Sequence, residues 1–333
     1  MSIVPVILVN RRLTFEYYSR YALAASLGSA MILAGCIYLL TDKKVRSAFV
    51  AVLVFLAALT HFHNGARASA QAEAMKNFWW QVSWRVPGFQ PEATLVANYP
   101  ITAIEEDYFV WGPANLIYHP VTTSDKKIKP AVYALVLSQY NLLDIFQGGR
   151  QETISRRGIF TYPDSSKILI LSQPTLASCV HVLDADLPVL STFERPDIIS
   201  ASSFSKIALV DLNAHAALPP ESIFGVEPEH DWCYYFQKAS LANQRGDWAE
   251  EADLGNDAWK KDLRPQDKSE WLVFLDAYAR LDRSQDVARI AKDIKKDDYQ
   301  SLLLCRSIQD GSAFAEISTE MHSLLKLTFC GAD

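Results

Sequence analysis

Hydrophobic residues are concentrated near the N-terminus of the chain, where two long apolar runs are separated by a short polar loop. Residues 21–40 carry no charged side chain, and the second run covers residues 45–62 with Arg46 near its start. About 20 apolar residues in a helix span the hydrocarbon core of a bilayer. The pattern therefore predicts a transmembrane helical hairpin within residues 1–63, with spans at 21–40 and 45–62, and the lipid bilayer as its first partner.

The charges around the two runs predict an orientation. The sequence KKVR at 43–46 forms the loop of the hairpin, and basic loops usually stay in the cytoplasm. Arg11, Arg12 and Arg20 precede the first run and oppose this orientation. We expect both flanks of the hairpin outside the cytoplasm, which makes the soluble part extracytoplasmic and places the chain in the cell membrane.

Three further features of the N-terminal region bear on its role. Met1–Asn10 lacks the basic start and cleavage site of a signal peptide, so the chain could be the C-terminal portion of a larger membrane protein. Gly28 and Gly35 suit close contact between membrane helices, which favours assembly with other membrane subunits. His61 and His63 have no third ligand nearby and are interpreted as interfacial histidines rather than metal ligands.

Residues 64–88 repeat apolar side chains at helical spacing up to a Pro-Gly pair, which predicts an amphipathic connecting helix. Trp79 continues the main apolar stripe, while Trp80 and Trp84 form a second face. A helix that is apolar on two sides needs two partners. We therefore expect the membrane or the hairpin to cover one face and the following domain to cover the other; stacking on a bound ligand is the alternative.

Residues 89–228 alternate short apolar runs with polar breaks, as strands bounded by turns do. The run KILIL at 167–171 favours a strand covered on both faces, and Ile207–Asp211 also has a strand pattern, so a small α/β domain is predicted. Carboxylates follow two of the predicted strands, where α/β proteins often place their sites. A solvated acidic loop is the simpler interpretation; the weak acid–base candidates are Glu105, Glu106, Asp107, Asp184 and Asp186.

Residues 229–330 have a helical pattern with paired segments. The turn at Gly246 is followed by a comparable break at Asp282, close to the period of about 34 residues in tetratricopeptide repeats. Such repeats usually present a peptide-binding groove, and a helical cap without a ligand is the alternative. The aromatic residues predicted to meet a partner in this tetratricopeptide-like segment are Trp232, Tyr235 and Trp248.

Composition and motifs exclude several functions. The net charge of −6 offers no basic field for nucleic acid, so no nucleic-acid partner is expected. The five cysteines form no C-x-x-C pair, and phosphate-loop, dinucleotide-binding and nucleophile-elbow motifs are missing. No cofactor or metal is therefore predicted. Disulfides would fit an extracytoplasmic domain, but the spacing does not choose the partners among Cys179, Cys233, Cys305 and Cys330.

The order of several segments resembles a family of large polytopic bacterial membrane proteins, Chloroflexi-like in character. The segments are HFHN at 61–64, FWWQVSWRVPG at 78–88, EDYFVWGPANLIY at 106–118 and DWCYYFQKA at 231–239. The resemblance extends over most of residues 20–300 and is to the C-terminal region of those proteins. Some of them are similar to C-type glycosyltransferases, which place a multi-span membrane half before an extracytoplasmic domain. This chain has two predicted spans and lacks the acidic first-loop motif, so no catalytic residue is carried over.

Two main hypotheses of function follow. The first is a membrane-anchored extracytoplasmic interaction module, the non-catalytic C-terminal part of a glycosyltransferase-like cell-envelope protein, which docks protein or glycan partners. The second is a self-contained membrane enzyme that acts on envelope glycans through the carboxylates of the α/β domain. A structural anchor that assembles with other membrane subunits is a third hypothesis.

Overall fold

The apolar N-terminal runs form two helices, α1 (Leu23–Tyr38) and α2 (Lys43–Arg85). They belong to a computed structural model that describes residues 23–101, 104, 106–120, 129–137, 142–149, 153–156, 158–185, 190–311, 314 and 316–331. The chain divides into two units, Met1–Ala70 and Gln71–Asp333.

Helix α2 is longer than the predicted second span. The Asp42 carboxylate accepts hydrogen bonds from the backbone of Lys44 at 2.7 Å and Val45 at 3.3 Å, which starts the helix there. No break occurs at residue 63, so the predicted span and the predicted connecting helix are parts of one 43-residue helix.

The membrane hairpin is supported in part. Within the described ranges, α2 is the one helix long and apolar enough to cross a membrane, judged by length and composition. Helix α1 has 16 residues, about 24 Å, which is shorter than a hydrocarbon core of about 30 Å. Its large apolar side chains at 27, 31–33 and 38 are exposed, and nothing described lies within 4 Å of a Cβ built on Gly28 or Gly35. The close helix contact predicted for these glycines is therefore not formed by the described part of the chain.

The unit Gln71–Asp333 contains a four-stranded sheet whose strand order is β2–β1–β5–β6. Strands β1, β2 and β5 are parallel, β6 is antiparallel to β5, and β3 and β4 form a separate hairpin. The strands are β1 (Thr94–Asn98), β2 (Tyr133–Ala134), β3 (Ile154–Arg156), β4 (Ile159–Thr161), β5 (Ile168–Ser172) and β6 (His181–Val182). The strand predicted at Ile207–Asp211 is wrong: Ile207–Leu209 is a 3₁₀ turn, and only Val210 makes a bridge, to Phe89.

Helices cover both faces of the sheet, as the apolar KILIL run predicts. Leu169 and Leu171 of β5 face the end of α2 and α3, whereas Ile168 and Ile170 face α4 and α5. The alternation follows from the two-residue period of a strand. The helices of this α/β part are α3 (Tyr108–Tyr118), α4 (Leu142–Gln147), α5 (Pro196–Ser202) and α6 (Glu221–Phe224).

The C-terminal part is helical, as the sequence pattern of residues 229–330 predicts. Asp231, Asp247 and Ser318 cap three of the helices through their side chains. Gly246 ends one helix in the left-handed conformation. The helices are α7 (Trp232–Arg245), α8 (Trp248–Lys260), α9 (Trp271–Arg280), α10 (Ser284–Ile294), α11 (Asp298–Gln309) and α12 (Thr319–Cys330). Their identity as tetratricopeptide repeats stays a prediction.

A buried carboxylate lies between these helices. Glu251 of α8 is 0% exposed, and both of its oxygens accept hydrogen bonds from the Asn243 amide at 3.2 Å. Burial raises the pKa of Glu251 to about 9; the Asn243 hydrogen bond opposes the shift, and Asp276 adds to it. Glu251 is therefore neutral in the folded protein at pH 7.

Buried polar contacts and a disulfide join the α/β part to the C-terminal helices. The Val180 backbone donates to Gln81 Oε1 of α2 at 2.7 Å, and Gln237 of α7 donates to the Val180 carbonyl at 2.6 Å. A disulfide connects Cys179 and Cys233, whose Cα atoms are 5.3 Å apart. These contacts fix the residues just before β6 to the end of α2 and to α7.

Candidate functional site

The carboxylates proposed from sequence are not gathered into one site. Glu105 and Asp186 lie outside the described residues, and Glu106 is half-buried. Asp107 is buried at the start of α3, beyond the loop that leaves the carboxyl end of β1, and accepts a hydrogen bond from Trp111 Nε1 at 3.1 Å. Asp184 follows β6, which runs antiparallel to β5, so it lies beside the amino-terminal half of β5.

Asp184 has an electrostatic role next to the buried Arg85. Burial and the nearby Arg245 lower the pKa of Arg85 to about 10, and Asp184 opposes that shift. The placements of Asp107 and Asp184 near different ends of the sheet give no support to a pair of acid and base residues.

The tryptophans of α2 lie inside the folded unit. Trp79 is 0% exposed and donates to Tyr99 Oη at 2.8 Å, on the side of the sheet. Trp80 donates to the Phe224 carbonyl at 3.2 Å, and Trp84 donates to Glu227 Oε1 at 2.9 Å. The expectation that membrane covers one face at this level is wrong, because residues 78–85 are all buried within the unit Gln71–Asp333.

The aromatic residues singled out in the C-terminal helices are also engaged. Trp232 and Tyr235 are buried, and Trp232 packs edge-on against Trp271 with ring centroids 4.7 Å apart. Trp248 is half-buried, with the guanidinium carbon of Arg280 at 4.3 Å from its ring centroid. Five of the six predicted partner-binding aromatics therefore contribute to the core rather than to an accessible surface.

A buried polar cluster, here called the carboxyl-edge cluster, lies where β1 and β5 end. Asn98 and Ser172 are paired across parallel strands, and His181 is paired with Ser172 across the antiparallel neighbour. Paired residues project to the same face of a sheet, so these three side chains form a row. The cluster consists of Asn98, Ser172, His181, Glu194, Asp267 and Glu270.

Glu194 joins the strand ends to the loop before α5. Its Oε1 accepts hydrogen bonds from Ser172 Oγ at 2.9 Å and from the Arg195 backbone at 3.0 Å. Asn98 donates to Ser172 Oγ at 3.0 Å and accepts from the Arg195 guanidinium at 3.2 Å. The other oxygen of Glu194, Oε2, is buried and has no hydrogen-bond partner among the described residues.

Asp267 and Glu270 reach the cluster from the 3₁₀ turn before α9. Asp267 accepts hydrogen bonds from the hydroxyls of Ser178, Ser191 and Ser269. Glu270 accepts from the Cys179 backbone at 2.6 Å and from Trp232 Nε1 at 2.5 Å. Asp267 is 1% exposed and Glu270 is 0% exposed, so water does not reach them. The protein donors supply the hydrogen bonds that the two buried carboxylates need.

His181 lies between the two carboxylates. Its Nε2 is 3.5 Å from Glu270 Oε1 but makes no hydrogen bond within the described part of the chain. Burial alone would lower the pKa of His181, but Glu270, Asp267 and Glu194 together raise it above the usual value. Burial raises the pKa of Glu194 and of Glu270, whereas His181 and the serine hydroxyls outweigh burial and lower the pKa of Asp267.

The carboxyl-edge cluster can hold an ion but is closed to a large substrate. All six of its side chains are buried, and the Ser172 hydroxyl is 0% exposed. A nucleophile or general base must reach the atoms that react. Sequence reasoning missed these residues because the signal is spread over more than 170 positions; the apolar KILIL run followed by Ser172 was the one local indication.

An accessible groove lies between α8 and α10. It has a volume of about 680 Å³ and is lined by Trp259, Arg264, Gln285, Ala288, Arg289, Lys292, Asp293 and Lys296. The guanidinium carbons of Arg264 and Arg289 are 3.5 Å and 4.6 Å from the Trp259 ring centroid. We call this surface the Trp259 groove.

Four basic side chains and one carboxylate line the Trp259 groove, and Arg264 and Arg289 also pair with Asp262 and Asp286, which are outside the lining. Asp293 is its one lining carboxylate, and it is already bound by Lys268, Lys296 and Trp271 at 2.9, 2.7 and 2.8 Å. Against the effect of burial, these three donors lower the pKa of Asp293 to about 2. A neighbouring cavity of about 430 Å³ includes Asp253 and Asp257, so the excess of cations is confined to the groove.

Comparisons with protein-family models, with curated proteins and with solved structures found no match for this chain.

Proposed function

We propose that the chain is a membrane-anchored, extracytoplasmic interaction module, the non-catalytic C-terminal part of a glycosyltransferase-like cell-envelope protein. The observation that carries the proposal is the pairing of the cysteines. Cys179 pairs with Cys233 and Cys305 pairs with Cys330, while Cys36 in α1 is free. Structural disulfides persist in oxidising compartments and are rare in the cytosol.

The membrane anchor and its orientation also favour an extracytoplasmic position for the unit Gln71–Asp333. Helix α2 has an 18-residue window of mean hydropathy 1.9 with no buried residue, as lipid contact requires. The basic residues Lys43, Lys44 and Arg46 stand at its start. If that end remains in the cytoplasm by the positive-inside rule, α2 leads out of it, which agrees with the disulfides.

The Trp259 groove is the docking surface in this proposal, and its occupant is an acidic segment of a partner protein. Four basic side chains line the groove, and three of them also pair with carboxylates. Lys292 is exposed and makes no ion pair within the described part of the chain, which favours an anionic ligand there. The half-buried Trp259 ring adds an apolar surface beside the guanidinium groups. A neutral glycan would use the ring but gain nothing from the cations.

A charge reversal at Lys292 tests the docking surface. We expect Lys292→Glu in the full chain to weaken the binding of fluorescent poly-L-glutamate about three- to tenfold at low salt, since one exposed positive charge becomes negative. Fluorescence anisotropy in detergent solution measures the dissociation constant. Lys206→Glu is the matched control, because Lys206 is an exposed lysine outside the groove and should leave binding unchanged.

Two results would contradict the acidic-partner proposal. One is equal binding of poly-L-glutamate by the native chain and by Lys292→Glu. The other is tight binding of an uncharged oligosaccharide that does not depend on salt and that Trp259→Ala abolishes, because this would identify a glycan as the occupant.

The catalytic alternative, an enzyme that acts on envelope glycans through the carboxylates of the α/β part, receives no supporting observation. Asp107 accepts a hydrogen bond from Trp111. Asp184 interacts electrostatically with Arg85 near the other end of the sheet. Glu105 and Asp186 lie outside the described residues.

A further inference from the structure

Three ligand-type side chains of the carboxyl-edge cluster converge on one point. His181, Asp267 and Glu270 each offer one atom, and these atoms all lie within 4.8 Å of one another. In a tetrahedral zinc site, ligand atoms about 2.0–2.1 Å from the metal are about 3.3 Å apart. The 3.5 Å between His181 Nε2 and Glu270 Oε1 is close to that spacing, and an Asp267 oxygen lies within 4.8 Å of both atoms.

Two buried polar atoms make no hydrogen bond within the described residues at this place. His181 is 6% exposed, and its Nε2, on the side of Glu270, accepts or donates no hydrogen bond among the described residues. Glu194 is 7% exposed, and its Oε2 is equally unpartnered within that part of the chain. Leaving such groups without a hydrogen bond is unfavourable. A bound ion would remove the cost at His181.

The charge of the cluster also favours a cation. Three carboxyl groups, those of Asp267, Glu270 and Glu194, are buried together. The guanidinium of the neighbouring Arg195 binds Asn98 and Asp197 rather than these carboxylates. A divalent ion compensates the carboxylates that ligate it, whereas isolated buried charges are strongly unfavourable.

The hydrogen bonds to the carboxylates are those expected of outer-sphere groups. Metal-ligating carboxylates are usually hydrogen-bonded in turn, which orients them. Ser178, Ser191 and Ser269 do this for Asp267, and the Cys179 backbone and Trp232 do it for Glu270. Each Glu270 oxygen keeps a second lone pair for a metal. Each Asp267 oxygen accepts two hydrogen bonds, so one serine hydroxyl must turn away when Asp267 ligates an ion.

We propose that His181, Asp267 and Glu270 form a zinc-binding site in the folded unit Gln71–Asp333. One imidazole and two carboxylates are a ligand set that suits Zn²⁺. The ligands are buried, so a large substrate cannot reach the ion and its role is structural. Three protein ligands leave the fourth tetrahedral position to a water molecule. The protein ligands come from β6 and from the turn before α9, so the ion joins the sheet to the C-terminal helices.

Metal content and stability of the purified full chain test the site. We expect about one zinc ion per chain by elemental analysis, and about none in His181→Ala. Removing the ion with a chelator should lower the melting temperature by several degrees, and adding Zn²⁺ should restore it. His230→Ala is the matched control, because His230 is exposed and stacks on Tyr234. The zinc content of this variant and its change in melting temperature with chelator should equal those of the native chain.

A native chain that holds no metal and whose melting temperature ignores both zinc and chelator would overturn the proposal. His181 would then be an imidazolium ion held by the two carboxylates. Undiminished zinc in His181→Ala would overturn it as well. Should His181→Ala fail to fold, Co²⁺ added to the metal-free native chain decides: a tetrahedral site gives strong visible absorption bands, and their absence contradicts the site.

Discussion

Replacing Cys179 and Cys233 with alanine is expected to lower the free energy of unfolding of the unit Gln71–Asp333 by about 4 kcal/mol. The two cysteines are 54 residues apart in sequence, and the loop that their bond closes restricts the unfolded chain by about that amount. The bond also fixes the end of the α/β part to α7. Denaturant titration followed by tryptophan fluorescence measures the change.

The other cysteines provide the controls for this prediction. Cys305→Ala/Cys330→Ala opens a shorter loop of 25 residues and should cost about 3.5 kcal/mol. Cys36→Ala should leave the unfolding of this unit unchanged, because Cys36 lies in α1 within the other unit. Reaction of all five cysteines with an alkylating agent in the unreduced, unfolded chain would show that the bonds do not exist.

Glu251→Gln is expected to stabilise the unit Gln71–Asp333 at pH 7 by about 2–3 kcal/mol. The folded protein holds Glu251 neutral, with a pKa of about 9, whereas the unfolded chain ionises near 4.5. A raised pKa contributes stability below the unfolded value, and that stability is lost as the pH rises through the folded value. At pH 7 the raised pKa lowers the free energy of unfolding by about 3 kcal/mol, and a neutral amide of the same shape avoids this loss.

The pH dependence distinguishes this cause from a simple packing effect. The difference in unfolding free energy between Glu251→Gln and the native chain should be small at pH 4.5 and should grow up to pH 9. Glu250→Gln removes the same charge from an exposed neighbour on α8 and should show no such growth. A difference that stays constant from pH 5 to pH 9 would contradict the assignment.

Local patterns were sufficient for the elements whose cores are built from near neighbours in sequence. The pattern of residues 229–330 predicted paired helices with breaks at Gly246 and Asp282, and the apolar run at 167–171 predicted a strand covered on both faces. The pattern at Ile207–Asp211 failed because an apolar run of this length does not distinguish a strand from a 3₁₀ turn. The Pro-Gly stop after α2 indicated where the helix ends but not that both faces would be buried.

The candidate site depended on contacts that local patterns do not contain. His181, Asp267 and Glu270 are brought together only when β6 pairs with β5 and the turn before α9 packs beside it. Trp259 meets Arg264 and Arg289 across two helices in the same way. The disulfide partners also needed the fold, because four cysteines allow three pairings and spacing does not choose among them.

Labelling from the two sides of the membrane tests the central claim, that α2 anchors an extracytoplasmic unit. In a Cys36→Ala background, Lys260→Cys places a thiol on an exposed position of α8, and Lys44→Cys places one at the start of α2. We predict that a membrane-impermeant maleimide added to intact cells labels Lys260→Cys at once but labels Lys44→Cys only after permeabilisation. Labelling of Lys44→Cys from outside, with Lys260→Cys protected, would contradict the account.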